Sequence, residues 1–174
     1  EKQLLIPSPR VSTYNLQPEM SAAQISTSVL NAMKQRHFGF IVVNFANGDM
    51  VGHTADWFAT LKAVEALDDA AGDLLDAATQ LGYSAILTAD HGNCEELTET
   101  QSGGPHTQHT CNPVPCLVID ELHWLLSSQA GLSSIAPTVL QLMGIEQPAE
   151  MTGKSLLLKG QKRELQRDAL PGAA

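Results

Sequence analysis

Between Lys62 and Lys154 the sequence has no lysine or arginine, yet thirteen aspartates and glutamates fall in that interval. Over all 174 residues, ten Lys and Arg stand against nineteen Asp and Glu, a formal charge of −9. That balance excludes the basic footprint with which nucleic-acid binders release phosphate counterions. A middle section without cationic side chains can hold an anionic ligand only through metal ions, backbone N–H groups or a partner surface. Long apolar runs are also missing. The longest, at 40–43 and 116–119, are strand-sized and far short of a membrane span. The opening Glu-Lys-Gln-Leu-Leu-Ile-Pro carries no apolar stretch of signal-peptide length. Cysteine is scarce: Cys94, Cys111 and Cys116 form no close thiol pair of metal-binding type. An odd count fits a reduced compartment better than a disulfide framework. Buried, inert thiols and a cytoplasmic location are therefore expected.

What is present fits a folded domain, or part of one. Hydrophobic residues make up 43%, enough for a core. Residues 1–20 hold Pro7, Pro9 and Pro18 without helical period and read as an extended lead-in. Ser21 is placed to cap a helix running to about Arg36. The β-branched run at 40–45 reads as a buried parallel strand. Asp56 then caps the clearest amphipathic helix, with Trp57, Leu61, Val64, Leu67, Ala71, Leu74, Ala78 and Leu81 on one stripe and Gly82 as its stop. Strands are expected at 84–88 and 114–119, and a helix at 135–143 with Pro137 in its first turn. The intervening 92–113 is a long polar loop, of the kind that is usually functional. Residues 159–174 read as a tail without fixed structure, which leaves 21–158 as the folded part. Alternating strands and helices imply an α/β domain, three layers with a mostly parallel sheet flanked by helices. Sites in such sheets gather at the carboxyl ends of strands.

Three polar motifs lie at those ends. Asn47-Gly48-Asp49-Met50-Val51-Gly52-His53-Thr54 follows the first expected strand, and an Asp and His four apart can converge on a metal. Thr88-Ala89-Asp90-His91-Gly92-Asn93 ends the second strand, where Gly92 permits a sharp turn and close approach to a ligand. His106-Thr107-Gln108-His109-Thr110-Cys111-Asn112-Pro113-Val114-Pro115 precedes the third. Each motif alone also fits an exposed turn. Together, four histidines and two aspartates follow or precede strands of one expected sheet. Mixed oxygen and nitrogen donors suit Mn²⁺ or Zn²⁺ without sulfur. A two-metal centre of that kind can hold the attacking and leaving oxygens of a phosphoryl displacement, and supplies the positive charge that the chain lacks. His37 and His123, beside aromatic residues outside these loops, read as structural or surface groups.

These residues resemble the C-terminal part of cofactor-independent phosphoglycerate mutases, members of the alkaline phosphatase superfamily. The resemblance rests on the three motifs, on Leu5-Ile6-Pro7-Ser8-Pro9-Arg10-Val11 through Leu16-Gln17-Pro18-Glu19-Met20-Ser21, on Ile135-Ala136-Pro137-Thr138, and on Gln147-Pro148-Ala149-Glu150-Met151-Thr152-Gly153-Lys154-Ser155. It reaches to about Leu158. It implies an incomplete alkaline phosphatase-like fold and two divalent ions, Mn²⁺ first, with Zn²⁺, Mg²⁺ or Co²⁺ as alternatives and no bisphosphoglycerate. It implies that Asp49, His53 and His109 hold one ion and that Asp90 and His91 contribute to the other. His106 matches no ligand. Gly48 and Ala55 depart from the pattern without removing one. The reaction implied interconverts 2- and 3-phosphoglycerate through a phosphoserine, a step of glycolysis and gluconeogenesis. No match to the serine motif or to the substrate-binding arginines occurs in this chain. It is thus expected to be a fragment, inactive alone, whose partners are a phosphoglycerate substrate and the missing N-terminal segment and substrate domain. The intact protein is expected to be monomeric, with no nucleic-acid or membrane partner. Two other readings stay open: another metal-dependent phosphatase or phosphomutase of the superfamily, and a non-catalytic metal-binding domain.

Overall fold

The computed structural model describes residues 1–162. Helices and strands are mixed, and the chain divides into two compact units, Glu1–Leu117 and the part from Val118 onward. Of the tail expected from 159, residues up to Lys162 belong to a strand, and 163–174 lie outside the described residues.

In the first unit, a lead-in with one 3-10 turn (Tyr14–Leu16) precedes helix α1 (Ala22–Gln35). Ser21 occupies the N-cap position, but its hydroxyl donates to Pro7 O at 2.7 Å rather than capping the helix. The hydroxyl thus ties the lead-in to the helix start. Helix α2 (Asn47–Gly52) is a short element absent from the sequence expectation. Helix α3 (Trp57–Leu81) begins and ends as its sequence dictates. Asp56 accepts from Ala59 N at 3.1 Å, and Gly82 closes the helix in the left-handed region at φ 70°.

The packed face of α3 matches the expected stripe only toward its C-terminal end, where Ala78 is buried and Leu67, Ala71, Leu74 and Leu81 are half-buried. Ala59, Thr60, Ala63, Ala70 and Ala78 are buried, while Trp57 and Phe58 are 65% and 77% exposed and Leu61 and Val64 are exposed too. The sequence offers two adjacent apolar stripes. α1 and α2 pack on the small-residue one, where helices approach more closely. Met20, Val51, Ala59 and Ala63 form the buried core at the α2–α3 contact, with Tyr14 and Met50 against it.

The run at 40–45 forms no strand. Its residues still alternate, with Ile41, Val43 and Phe45 half-buried and Val42 and Asn44 exposed, so the strand period is present without a ladder. Strand β1 (Ala85–Thr88) pairs with β2 (Cys116–Ile119), which starts directly after Pro115. Two of the three cysteines correct the expectation of burial: Cys111 and Cys116 are exposed, Cys94 is half-buried, and all are free.

In the second unit, β3 (Leu122–Leu126) pairs antiparallel with β4 (Leu157–Lys162), with Trp124 opposite Gly160. Helix α4 (Ile135–Leu142) carries Pro137 in its first turn as expected. Thr138, fully buried, donates to Ser134 O at 2.7 Å and accepts from Leu156 N at 2.9 Å, so it joins α4 to the approach to β4.

Candidate metal centre

The site is built in the first unit from three segments. α2 supplies Asp49 and, at its C-cap, His53. Four residues apart on one helical turn, both side chains share a face, and His53 Nε2 lies 3.1 Å from Asp49 Oδ1. The helix is fixed from below. Val51 is fully buried, and Asn47 donates to Pro18 O and Glu19 O at 3.1 and 2.8 Å.

The turn after β1 supplies His91, whose Nε2 is 3.9 Å from Asp49 Oδ1. The long loop supplies His109, with Nε2 3.0 Å from the same oxygen and 3.1 Å from His53 Nε2. The rings of His91 and His109 stack at 3.6 Å. Asp49, His91 and His109 each offer a ligand atom within 4.8 Å of the others. Asp49 Oδ1 is thus the hub of the cluster. Asp90 points less directly at it. Its carboxylate is 81% exposed and 3.6 Å from His91 Nε2. His106 is elsewhere, with Nδ1 3.0 Å from Glu96 O. His37 and His123 are exposed.

The outer hydrogen bonds orient the rings. His53 Nδ1 lies 2.7 Å from Thr107 O, and a carbonyl can only accept, so Nδ1 donates, which in the neutral ring leaves a lone pair on Nε2. His91 Nδ1 makes the same, longer contact to Gly92 O at 3.3 Å. In their neutral forms the His53 and His91 rings therefore turn lone pairs toward the spot where Asp49 Oδ1 lies. A set rich in lone pairs and poor in protons suits a cation, and backbone carbonyls fixing the far ring nitrogen are the usual second layer of a histidine metal site.

Two residues that the motifs did not single out hold this arrangement. Asn93, buried, donates from Nδ2 to Asp49 Oδ1 at 3.0 Å. Its own Oδ1 is buried without a partner, pressed against Gly52. A Cβ at Gly52 would overlap this amide, 2.8 Å from its Cγ, so only glycine lets Asn93 reach Asp49. Glu95 accepts from Asn93 N at 2.8 Å, from Asn112 Nδ2 at 3.1 Å and from the Thr110 hydroxyl. The Thr110 bond, with those of Asn112 and the backbone, holds its carboxyl down at about 2. The only signal in the sequence was adjacency to Asp90-His91-Gly92. Cys94 donates to Gly48 O at 3.0 Å, and burial, together with the carboxylates of Glu95 and Asp49, pushes its thiol up. A neutral thiol is a poor ligand, which agrees with a centre made without sulfur.

A family model described as the metalloenzyme superfamily matches residues 1–147. The chain belongs to that superfamily. Membership and the cluster of Asp49, His91 and His109 together support divalent-metal binding. Within the superfamily, 2,3-bisphosphoglycerate-independent phosphoglycerate mutases are similar to it. That of Pseudomonas aeruginosa is 48% identical over 160 residues, 92% of this chain and 31% of the relative. That of Pseudomonas putida is 48% identical over 158 residues, 91% of this chain and 31% of the relative. A crystal structure of Leishmania mexicana phosphoglycerate mutase at low cobalt concentration matches 88% of this chain and 31% of that one, with a TM-score of 0.79 and 32% identity. The chain thus spans about a third of the length of these relatives. The likeness supports the alkaline phosphatase-like fold expected from the motifs, here in part.

Proposed function

We propose that this superfamily member is the metal-binding part of a 2,3-bisphosphoglycerate-independent phosphoglycerate mutase, interconverting 2- and 3-phosphoglycerate. The observation that carries it is the convergence of Asp49, His53, His91 and His109, from three separate segments, in a chain matched over nine-tenths of its length by such mutases. In this reading Asp49, His53 and His109 hold one divalent ion, with Mn²⁺ the first choice. Asp90 and His91 contribute to a second, whose remaining ligands come from outside this chain. Asp90 is exposed enough to turn toward such an ion. Bound ions would activate a serine nucleophile and neutralise charge on the transferred phosphoryl group.

The chain's own residues prepare that chemistry. Thr107 O and Gly92 O orient the imidazoles, and Asn93 fixes the Asp49 carboxylate. The serine and the arginines that grip the phosphoglycerate belong, in this proposal, to the other two thirds of the mutase. Among the described residues no helix is long and apolar enough to cross a membrane. Cytoplasmic residence and a monomeric intact enzyme complete the proposal.

The test is a chimera in which this chain replaces the matching segment of the Pseudomonas aeruginosa mutase. An enolase-coupled assay with 3-phosphoglycerate should show metal-dependent turnover that H109A abolishes, and none from the 174-residue chain alone. A folded, metal-loaded chimera that hydrolyses p-nitrophenyl phosphate but does not isomerise phosphoglycerate would reject the mutase reading in favour of a phosphatase.

A further inference from the structure

The two loops that bring His91 and His109 together are joined by little backbone structure. An isolated bridge links Gly92 to Thr110, with Thr110 N donating to Gly92 O at 2.9 Å. A single bridge at the surface does not hold two imidazoles at stacking distance for long, since exposed backbone bonds open readily. Glu95 adds what the bridge lacks. Its Oε2 accepts from Asn93 N, on its own loop, at 2.8 Å. Its Oε1 accepts from the Thr110 hydroxyl and, at 3.1 Å, from Asn112 Nδ2, both on the facing loop. One carboxylate thus spends one oxygen on each side, and three charge-assisted bonds brace the segments.

The neighbours are shaped for this brace. At Gly92 a Cβ would overlap both the Thr110 hydroxyl and the Glu95 carboxylate, so the residue next to His91 has no side chain. Asn93, whose N–H Glu95 holds, is the residue that donates to Asp49. The brace therefore reaches three of the converging ligands at one remove: His91 through the turn, His109 through its neighbour Thr110, and Asp49 through Asn93.

We propose that Glu95 is a positioning residue of the metal centre, clamping the 91–95 turn to the 109–112 segment so that His91 and His109 stay within reach of one hub at Asp49. The inference rests on the metal-binding part of the proposed function and not on the mutase reaction. It predicts that Glu95, which touches none of the ligands, controls metal affinity as a supporting-layer residue does, by about 10–100-fold.

The experiment titrates the full chain with Co²⁺, reading affinity by calorimetry and ligand geometry by the visible d–d spectrum. E95Q keeps the shape of the side chain but loses its charge and turns an N–H₂ toward a donor. It should bind Co²⁺ about 10–100-fold more weakly, with an altered spectrum, while circular dichroism stays that of the parent. T110V should do the same, T110S should restore affinity to within about 3-fold of the parent, and E95Q/T110V should be little worse than either single change, because both break one clamp. If E95Q does not fold, T110V against T110S decides. Parental affinity and spectrum in a folded E95Q or T110V overturns the proposal, as does a double variant whose losses multiply. Absence of Co²⁺ binding by the parent chain would instead overturn the metal reading beneath it.

Discussion

Replacing Asp49 by asparagine tests the hub of the cluster with almost no change of shape. Asp49 Oδ1 lies within 3.0–3.1 Å of His109 Nε2, His53 Nε2 and Asn93 Nδ2, and it is the one carboxylate among the converging donors. Removing a supporting residue of such a site costs about 10–100-fold in affinity, so removing the anionic ligand should cost about 100-fold or more. Stabilisation by a bound ion follows RT ln(1 + [L]/Kd), about 2.7 kcal/mol at a hundred times Kd. For a chain of this size about 3 °C accompanies each kcal/mol, so Mn²⁺ at that level should raise the parent's Tm by about 8 °C. At the same free Mn²⁺ the ratio for D49N falls to about 1, leaving about 0.4 kcal/mol and a rise of about 1 °C. The sign in chelator is as informative. Without a cation the D49N amide can keep the Asn93 bond through its oxygen while its N–H₂ donates to a neutral ring nitrogen of the cluster. The variant should therefore melt no lower than the parent in EDTA. Differential scanning fluorimetry with and without Mn²⁺ reads both effects. An equal metal-induced shift in the two proteins, or a D49N that is clearly less stable than the parent in EDTA, would refute the reasoning.

Three further outcomes are expected. The chain should hold one divalent ion more tightly than any second, since four donors converge near Asp49 while Asp90 stands largely in solvent; equilibrium dialysis with elemental analysis showing two tightly held ions would contradict this. Glu95 is held down at about 2 from the usual 4.5, so its contribution to stability is fully present above pH 4.5 and is lost as pH falls from there through about 2; acid unfolding of E95Q should lack that part of the slope, and superimposable acid limbs would count against the clamp. T138V should destabilise the second unit by about 1–3 kcal/mol, because it leaves the Leu156 N–H buried without its acceptor, while T138S should cost less; urea melts ranking the two the other way would show that the bond carries no net stability.

Local chemistry made much of this legible. Asp56 and Gly82 delimit α3 because a cap and a left-handed stop act within a few residues of themselves. Pro115 likewise marks where β2 starts. The spacing of Asp49 and His53 was enough to let them converge, and helix α2 then put them on one face. What failed was selection between equivalent local patterns. α3 carries two apolar stripes, and how much of each is buried along the helix depends on which helices meet it. The 40–45 run has the strand period but no ladder, since a strand exists only through a neighbour. Ser21 had two uses for its hydroxyl, and the nearby Pro7 carbonyl took it. β3 and β4 were missed because a ladder between residues about thirty to forty positions apart leaves no short-range signature.

The sequence by itself determined the residue types of the centre: aspartates and histidines in three motifs, few thiols, and no Lys or Arg from Ala63 to Gly153. It also placed those motifs at the edges of elements, because caps, glycines and hydrophobic period are local properties. Only the tertiary structure decided that Asp49 is the hub and that Asn93 and Glu95 support it. Those are facts of distance between segments far apart in the chain. Hydrogen bonds and metal coordination reach only about 2–3 Å, so the roles follow from folding geometry that no spacing within a motif encodes.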